Sequence, residues 1–137
     1  MNIIEIQGLT KDYVNNGFSV PAVRGINVQV GAGEFTAIAG PSGSGKTTLL
    51  NIIGGLDRPT AGLVRVGGSD LSGMDARQLS DLRLRKIGFI FQAYNLIPVL
   101  SAVENVEYVL LLQGVSRVER RRRSEAILRE VGLEKEI

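Results

Sequence analysis

Nine consecutive residues hold the densest chemistry in this sequence: Gly40-Pro41-Ser42-Gly43-Ser44-Gly45-Lys46-Thr47-Thr48. They fit the pattern G-x-x-x-x-G-K-[ST], with Gly40 and Gly45 as its glycines and Lys46 and Thr47 as its polar pair. The chemistry that suits this pattern is the holding of a triphosphate. Closely spaced anionic oxygens can be wrapped by consecutive backbone N–H groups only where the chain bends sharply, which the glycines allow. The start of a following helix adds unpaired donors and a positive dipole end. Lys46 is expected to reach the β- and γ-phosphates as a point charge, which makes it both a binding and a catalytic candidate. The Thr47 hydroxyl is a hard oxygen ligand suited to Mg²⁺. The alternative is an ordinary Gly/Ser turn before a helix, and the lysine, the hydroxyl and both flanks speak against it.

Those flanks are the elements that must position the loop. Phe35 to Ala39 is continuously apolar and predicts a strand buried on both faces of a parallel sheet. The run from Gly45 predicts a helix that stops at Gly54-Gly55. Upstream, Ile4, Ile6 and Leu9 alternate with polar residues, and so does the run Val23 to Val30; each predicts a strand. Downstream, Leu63 to Val66 predicts a short strand. Asp75 to Arg85 predicts a polar helix with Leu79 and Leu82 on one face. Ile87 to Phe91 predicts a second apolar strand, ending at Gln92. Ser101 with Glu104 forms a capping-box signature for a helix to about Gln113. Ser116 with Glu119 repeats it for a helix to about Val131, closed by Gly132.

Composition narrows the classes. A length of 137 residues suits about one domain. Sixteen basic and fourteen acidic residues leave a net charge of +2, too small an excess to imply nucleic-acid binding. The absence of cysteine and histidine excludes disulfides, thiolate metal sites and any imidazole base or ligand from this chain. No apolar run approaches the ~18 residues of a membrane span. The segment Met1 to Glu5 lacks the basic and apolar regions of a signal peptide, so a soluble cytoplasmic chain is the expectation. The run Arg120-Arg121-Arg122-Arg123, with Arg117 nearby, reads as a solvated helix face. Contact with a polyanion or an acidic partner is the alternative, and the lack of interleaved aromatics weakens specific nucleic-acid binding.

Taken together, four stretches resemble the N-terminal part of an ABC-transporter ATP-binding subunit, of the lipoprotein-release and macrolide-export group. They are Leu9-Thr10-Lys11-Asp12-Tyr13, the loop Gly40 to Thr48, Gly54 to Gly62, and Ile87 to Pro98 followed by Ser101 to Val106. The resemblance implies a P-loop NTPase fold of ABC type in the α/β class. That fold has a parallel core sheet, an antiparallel β subdomain and the start of a helical subdomain. About 1–92 would be the nucleotide-binding core and β subdomain, and about 93–137 the Q-loop and start of the helical subdomain. It also implies roles. Tyr13 would stack on adenine, against the plainer reading of a strand-end tyrosine with a wet hydroxyl. Gln92 would bind Mg²⁺ or the attacking water and report nucleotide state to a membrane partner.

The same family uses an apolar strand ending in Asp-Glu, a Leu-Ser-Gly-Gly-Gln-type signature and a switch histidine. None is found in this sequence: Leu71-Ser72-Gly73-Met74 lacks the second Gly and the Gln. The chain is therefore expected to be a truncated, N-terminal piece that alone does not hydrolyse ATP. Phe35 to Ala39 and Ile87 to Phe91 are expected to be left with unpaired edges. The implied whole is an ATP hydrolase using ATP and Mg²⁺. It would dimerise head-to-tail with a second ATP-binding subunit and drive membrane-spanning permease subunits from the inner face of the cell membrane. A non-hydrolysing nucleotide-binding module, a non-transport ABC ATPase and a small P-loop kinase are the competing readings. The Q-loop stretch argues against the kinase.

Overall fold

A computed structural model describes all 137 residues and divides into two compact units, Met1–Ile87 and Gly88–Ile137. The first unit is built on a long hairpin, β1 (Asn2–Asn15) against β2 (Phe18–Gly31). Asn16 and Gly17 close it with φ of 49° and 83°. Two successive positive φ values match the twist of the flanking strands, and Asn-Gly tolerates them best. β3 (Ala61–Val66) pairs with the other edge of β1, and β4 (Ser69–Asp70) with β3, giving the order β2-β1-β3-β4.

Two helices cover this sheet's apolar residues. α1 (Lys46–Ile53) contributes Leu49 and Ile52, and α2 (Ala76–Lys86) contributes Leu79 and Leu82, each pair at a three-residue spacing. They share one core with Ile6, Leu9, Val23, Val64 and Leu71. Ile6 faces Val64 across the β1–β3 ladder, and both are sealed from solvent. Burying a side chain of this size stabilises the fold by about 1.5–3 kcal/mol. α2 starts at Asp75, whose carboxylate accepts from the Gln78 N–H while the Gln78 amide oxygen accepts from the Asp75 N–H, both at 2.8 Å.

The expected parallel core sheet is not formed within this chain, because every strand pairing is antiparallel. Residues 35–39 and 87–91 are irregular, largely apolar runs without a ladder, so neither is a strand. Phe35 and Ile90 are fully exposed. The physical reason is that a strand needs a hydrogen-bonded neighbour, and the one sheet of this chain, β2-β1-β3-β4, offers neither run a partner strand. Phe89 and Phe91 instead stack on each other, with centroids 5.5 Å apart.

The second unit is a helical hairpin, α3 (Ala102–Leu112) and α4 (Arg117–Glu130), followed by a 3₁₀ turn at Glu134–Glu136. Val103, Ser124 and Leu128 are its buried residues. Asn105 ties the preceding loop to α3: its Oδ1 accepts from the Ile97 N–H at 2.8 Å, and its Nδ2 donates to the Leu100 and Ser101 carbonyls at 3.0 Å. The capping box expected at Ser101 and Glu104 is formed. The one expected at Ser116 is not. Glu119 turns instead to Arg122, whose Nη2 donates at 2.7 Å, and to Arg123, whose Nε donates at 2.6 Å. These bonds hold the Glu119 carboxyl down to about 2. The arginine run is thus largely paired within its own hairpin, with Glu107, Glu119 and Glu125 as counter-charges.

Candidate functional site

The loop Gly40–Gly45 leads directly into α1, and its bend depends on Gly45. That residue is the helix N-cap at φ 87° and ψ 7°, a left-handed conformation that costs an ordinary L-residue. A Cβ there would also lie 2.4 Å from the Ala22 carbonyl oxygen of β2. The glycine therefore lets the phosphate loop sit directly on the β2 backbone. The cavity at this junction measures about 510 Å³ and is lined by Ala22, Ser42, Gly43, Gly45, Lys46, Thr47 and Thr48.

No side chain caps α1, and no acidic residue lies in its first turn. Its first N–H groups are therefore left to an external acceptor. The Lys46 ammonium curls into the loop, donating to the Gly40 carbonyl at 2.8 Å, the Pro41 carbonyl at 2.6 Å and the Ser44 Oγ at 3.3 Å. A lysine so held places a positive charge beside a bare helix start. Thr47 is exposed and Thr48 half-buried. The donor set, with its cation, N–H groups and hydroxyls and no competing carboxylate, fits an anion. No cluster of three or more acidic residues suited to a metal ion is present, so Thr47 contributes a single hydroxyl.

Tyr13 lies near the end of β1, is 42% exposed, and is not among the residues lining the loop cavity. Its hydroxyl is not merely wet: it donates to Asp57 Oδ2 at 2.8 Å. Asp57 also accepts from Lys11 Nζ at 2.7 Å, and the same ammonium lies 4.8 Å from the Tyr13 ring centroid. Burial pushes the Asp57 carboxyl up, but the bonds from Lys11, Tyr13 and the Arg58 N–H outweigh it and hold the group below the usual carboxylate range. The sequence reading missed Asp57 and Lys11, since their partnership spans 46 positions and leaves no local signature. Ala22 was also missed, because it shapes the loop through its backbone. Gln92 belongs to the second unit, on an exposed bend after the 87–91 run. No helix of the chain is long and apolar enough to cross a membrane.

Known proteins share this architecture. The solved dimeric ATP-binding cassette MJ0796, in a post-hydrolysis state bound to ADP and Pi, superposes with a TM-score of 0.86 at 42% identity, over 92% of this chain and 56% of that one. The lipoprotein-releasing system ATP-binding protein LolD of Anaeromyxobacter dehalogenans is 47% identical over 95% of this chain and 55% of its own length. The macrolide export ATP-binding/permease protein MacB of Marinobacter nauticus is 45% identical over 96% of this chain but 20% of its own length. The chain thus spans from a fifth to just over half of the relatives it matches. The family pattern described as ABC transporter runs through residues 23–136, from β2 through the phosphate loop to the last helical turn, and the chain belongs to that family.

Proposed function

We propose that this chain is the nucleotide-binding part of an ABC-transporter ATP-binding subunit, in which MgATP binding and hydrolysis drive membrane-spanning permease partners. The observation that carries this reading is the uncapped start of α1 with Lys46 held in the Gly40–Gly45 loop. The backbone of Gly40, Pro41, Ser42, Gly43, Ser44 and Gly45, with the first turn at Lys46, Thr47 and Thr48, would cradle the phosphates. Lys46 would leave its loop carbonyls for the β- and γ-oxygens. Thr47 and Gln92 would hold Mg²⁺, and Tyr13 would carry adenine. Bound MgATP supplies the phosphoanhydride whose cleavage releases the driving free energy.

Gln92 can orient a water but is a very weak base, and the chain has no histidine, so its residues account for binding better than for proton removal. Hydrolysis is accordingly assigned to the longer protein, acting as a head-to-tail pair with a second ATP-binding subunit. That pair would sit at the cytoplasmic face of a membrane. The relatives' greater length and the dimeric MJ0796 cassette support this assignment. The test is titration calorimetry of MgATP on the full-length protein. Lys46→Ala is expected to abolish tight binding, and undiminished affinity would refute the reading.

A further inference from the structure

Tyr13 is held at two places. Its hydroxyl is pinned to Asp57 Oδ2, and the Lys11 ammonium sits over the ring while donating to Asp57 Oδ1 and, at 2.8 Å, to the Arg58 carbonyl. Asp57 is itself tethered. Its N–H donates to the Asn51 carbonyl at 3.2 Å, and its Oδ1 accepts from the Arg58 N–H at 2.7 Å. Asn51 lies in α1, the helix that begins at Lys46. Eight residues of helix span about 12 Å. The carboxylate that grips Tyr13 is therefore fixed to the far end of the helix whose start is the phosphate loop. The strand carrying Tyr13 is tied to the turn that carries Asp57, because the Asp12 N–H donates to Thr60 Oγ1 and the Thr60 N–H to the Thr10 carbonyl, each at 2.9 Å.

We infer that Asp57, clamped by Lys11, is a positioning residue for the nucleobase: it locks the Tyr13 ring so that its open face receives adenine at a set reach from the phosphate loop. This rests on the reading of Tyr13 as the adenine platform. A tyrosine free to rotate must be ordered when the base arrives, whereas one already pinned has lost that freedom before binding. Lys11 adds a second effect, since its charge lies against the electron-rich ring. Asp57 touches no nucleotide in this arrangement and acts through Tyr13 alone.

The experiment uses the full-length protein, with magnesium, and compares ATP with inorganic tripolyphosphate, which lacks the base. Asp57→Ala is expected to weaken ATP about threefold to tenfold by releasing the platform, and to leave tripolyphosphate unchanged. Asp57→Asn, which keeps an acceptor for the hydroxyl, should recover much of the loss. In a Tyr13→Ala background, the further change Asp57→Ala should have no effect. Equal weakening of both ligands, no weakening of either, or a loss that persists without Tyr13 would each overturn the inference. Tyr13→Phe removes only the hydroxyl and gives the same ATP-selective loss should Asp57→Ala fail to fold. The platform reading fails separately, and takes the inference with it, if Tyr13→Ala does not lower ATP affinity; about a tenfold loss is expected from base stacking.

Discussion

Helix α3 enters through a closed pair of hydrogen bonds. Ser101 Oγ accepts from the Glu104 N–H at 3.3 Å, and Glu104 Oε2 accepts from the Ser101 N–H at 2.8 Å. Asp75 and Gln78 do the same for α2. Helix α1 enters with no side-chain cap and no first-turn acid, from a glycine in a left-handed conformation. The contrast separates two uses of one element. A capped helix start completes itself and serves stability. An uncapped one, with a lysine curled beside it, has donors that the proposed phosphate site would use, and it forgoes what a cap would contribute, about 1 kcal/mol. The proposed function uses the helix start where stability was left unclaimed.

The sharpest way to break this contrast is Gly45→Ala. The left-handed conformation costs an L-residue about 1–2 kcal/mol. Overlap with the Ala22 carbonyl adds about 1–3 kcal/mol through backbone displacement. Denaturant unfolding of the full-length protein should show the sum, and nucleotide binding should be lost with the loop geometry. A variant that keeps both stability and ATP affinity would mean the loop does not depend on its close seat against β2. Next in size is Ser101→Ala, which removes a cap that is formed and should cost about 1 kcal/mol, with no change in nucleotide affinity of the phosphate loop itself.

A smaller effect of opposite sign sharpens the comparison. Thr47→Asp places an acid in the first turn of α1, where α3 and α4 already carry Glu104 and Glu119. It should stabilise the nucleotide-free protein by about 0.3–1 kcal/mol through the helix dipole. It should also weaken MgATP, since the new charge faces the phosphates at close range. A rise in melting temperature together with a fall in affinity is the expected pair of readings. If affinity falls but stability falls too, the start of α1 is not an electropositive end waiting for an anion.

Particular residues show how far the sequence could be read. Spacing found α2, because Leu79 and Leu82 lie on one helix face, while α1 was read from its glycine-bounded run and α3 from the Ser101–Glu104 capping box. The Gly40–Gly45 bend into α1 was legible because its glycine pattern is local, and the phosphate chemistry proposed for it is encoded in the same spacing. The Asn16-Gly17 turn was present in the sequence but went unread, and with it the full length of β1 and β2. Phe35 to Ala39 and Ile87 to Phe91 failed differently. Their composition reports burial in a parallel sheet, but a strand also requires a neighbour, which a run of apolar residues does not supply. The clamp of Lys11, Asp57 and Tyr13 is non-local, joining β1 to the turn beyond α1, and only folding brings it together.

The smallest expected effect lies at α4, whose start resembles that of α3 in sequence and differs in structure. Ser116 occupies the N-cap without making a side-chain bond, and Glu119 has been drawn away by Arg122 and Arg123. Ser116→Ala should therefore cost under about 0.5 kcal/mol, as surface changes away from such features do, against about twice that for Ser101→Ala. The contribution of this helix start should instead follow the Glu119 charge. Its carboxyl falls from 4.5 to about 2 on folding, so the stabilisation is fully present above about 4.5 and is lost as pH falls toward 2. Urea unfolding between pH 7 and pH 3 should show that loss in the unaltered protein and in Ser116→Ala alike, and a reduced loss in Glu119→Gln. Equal costs for Ser116→Ala and Ser101→Ala would show that the serine caps α4 after all. The arginines would then be secondary to a helix start of the ordinary, self-completing kind.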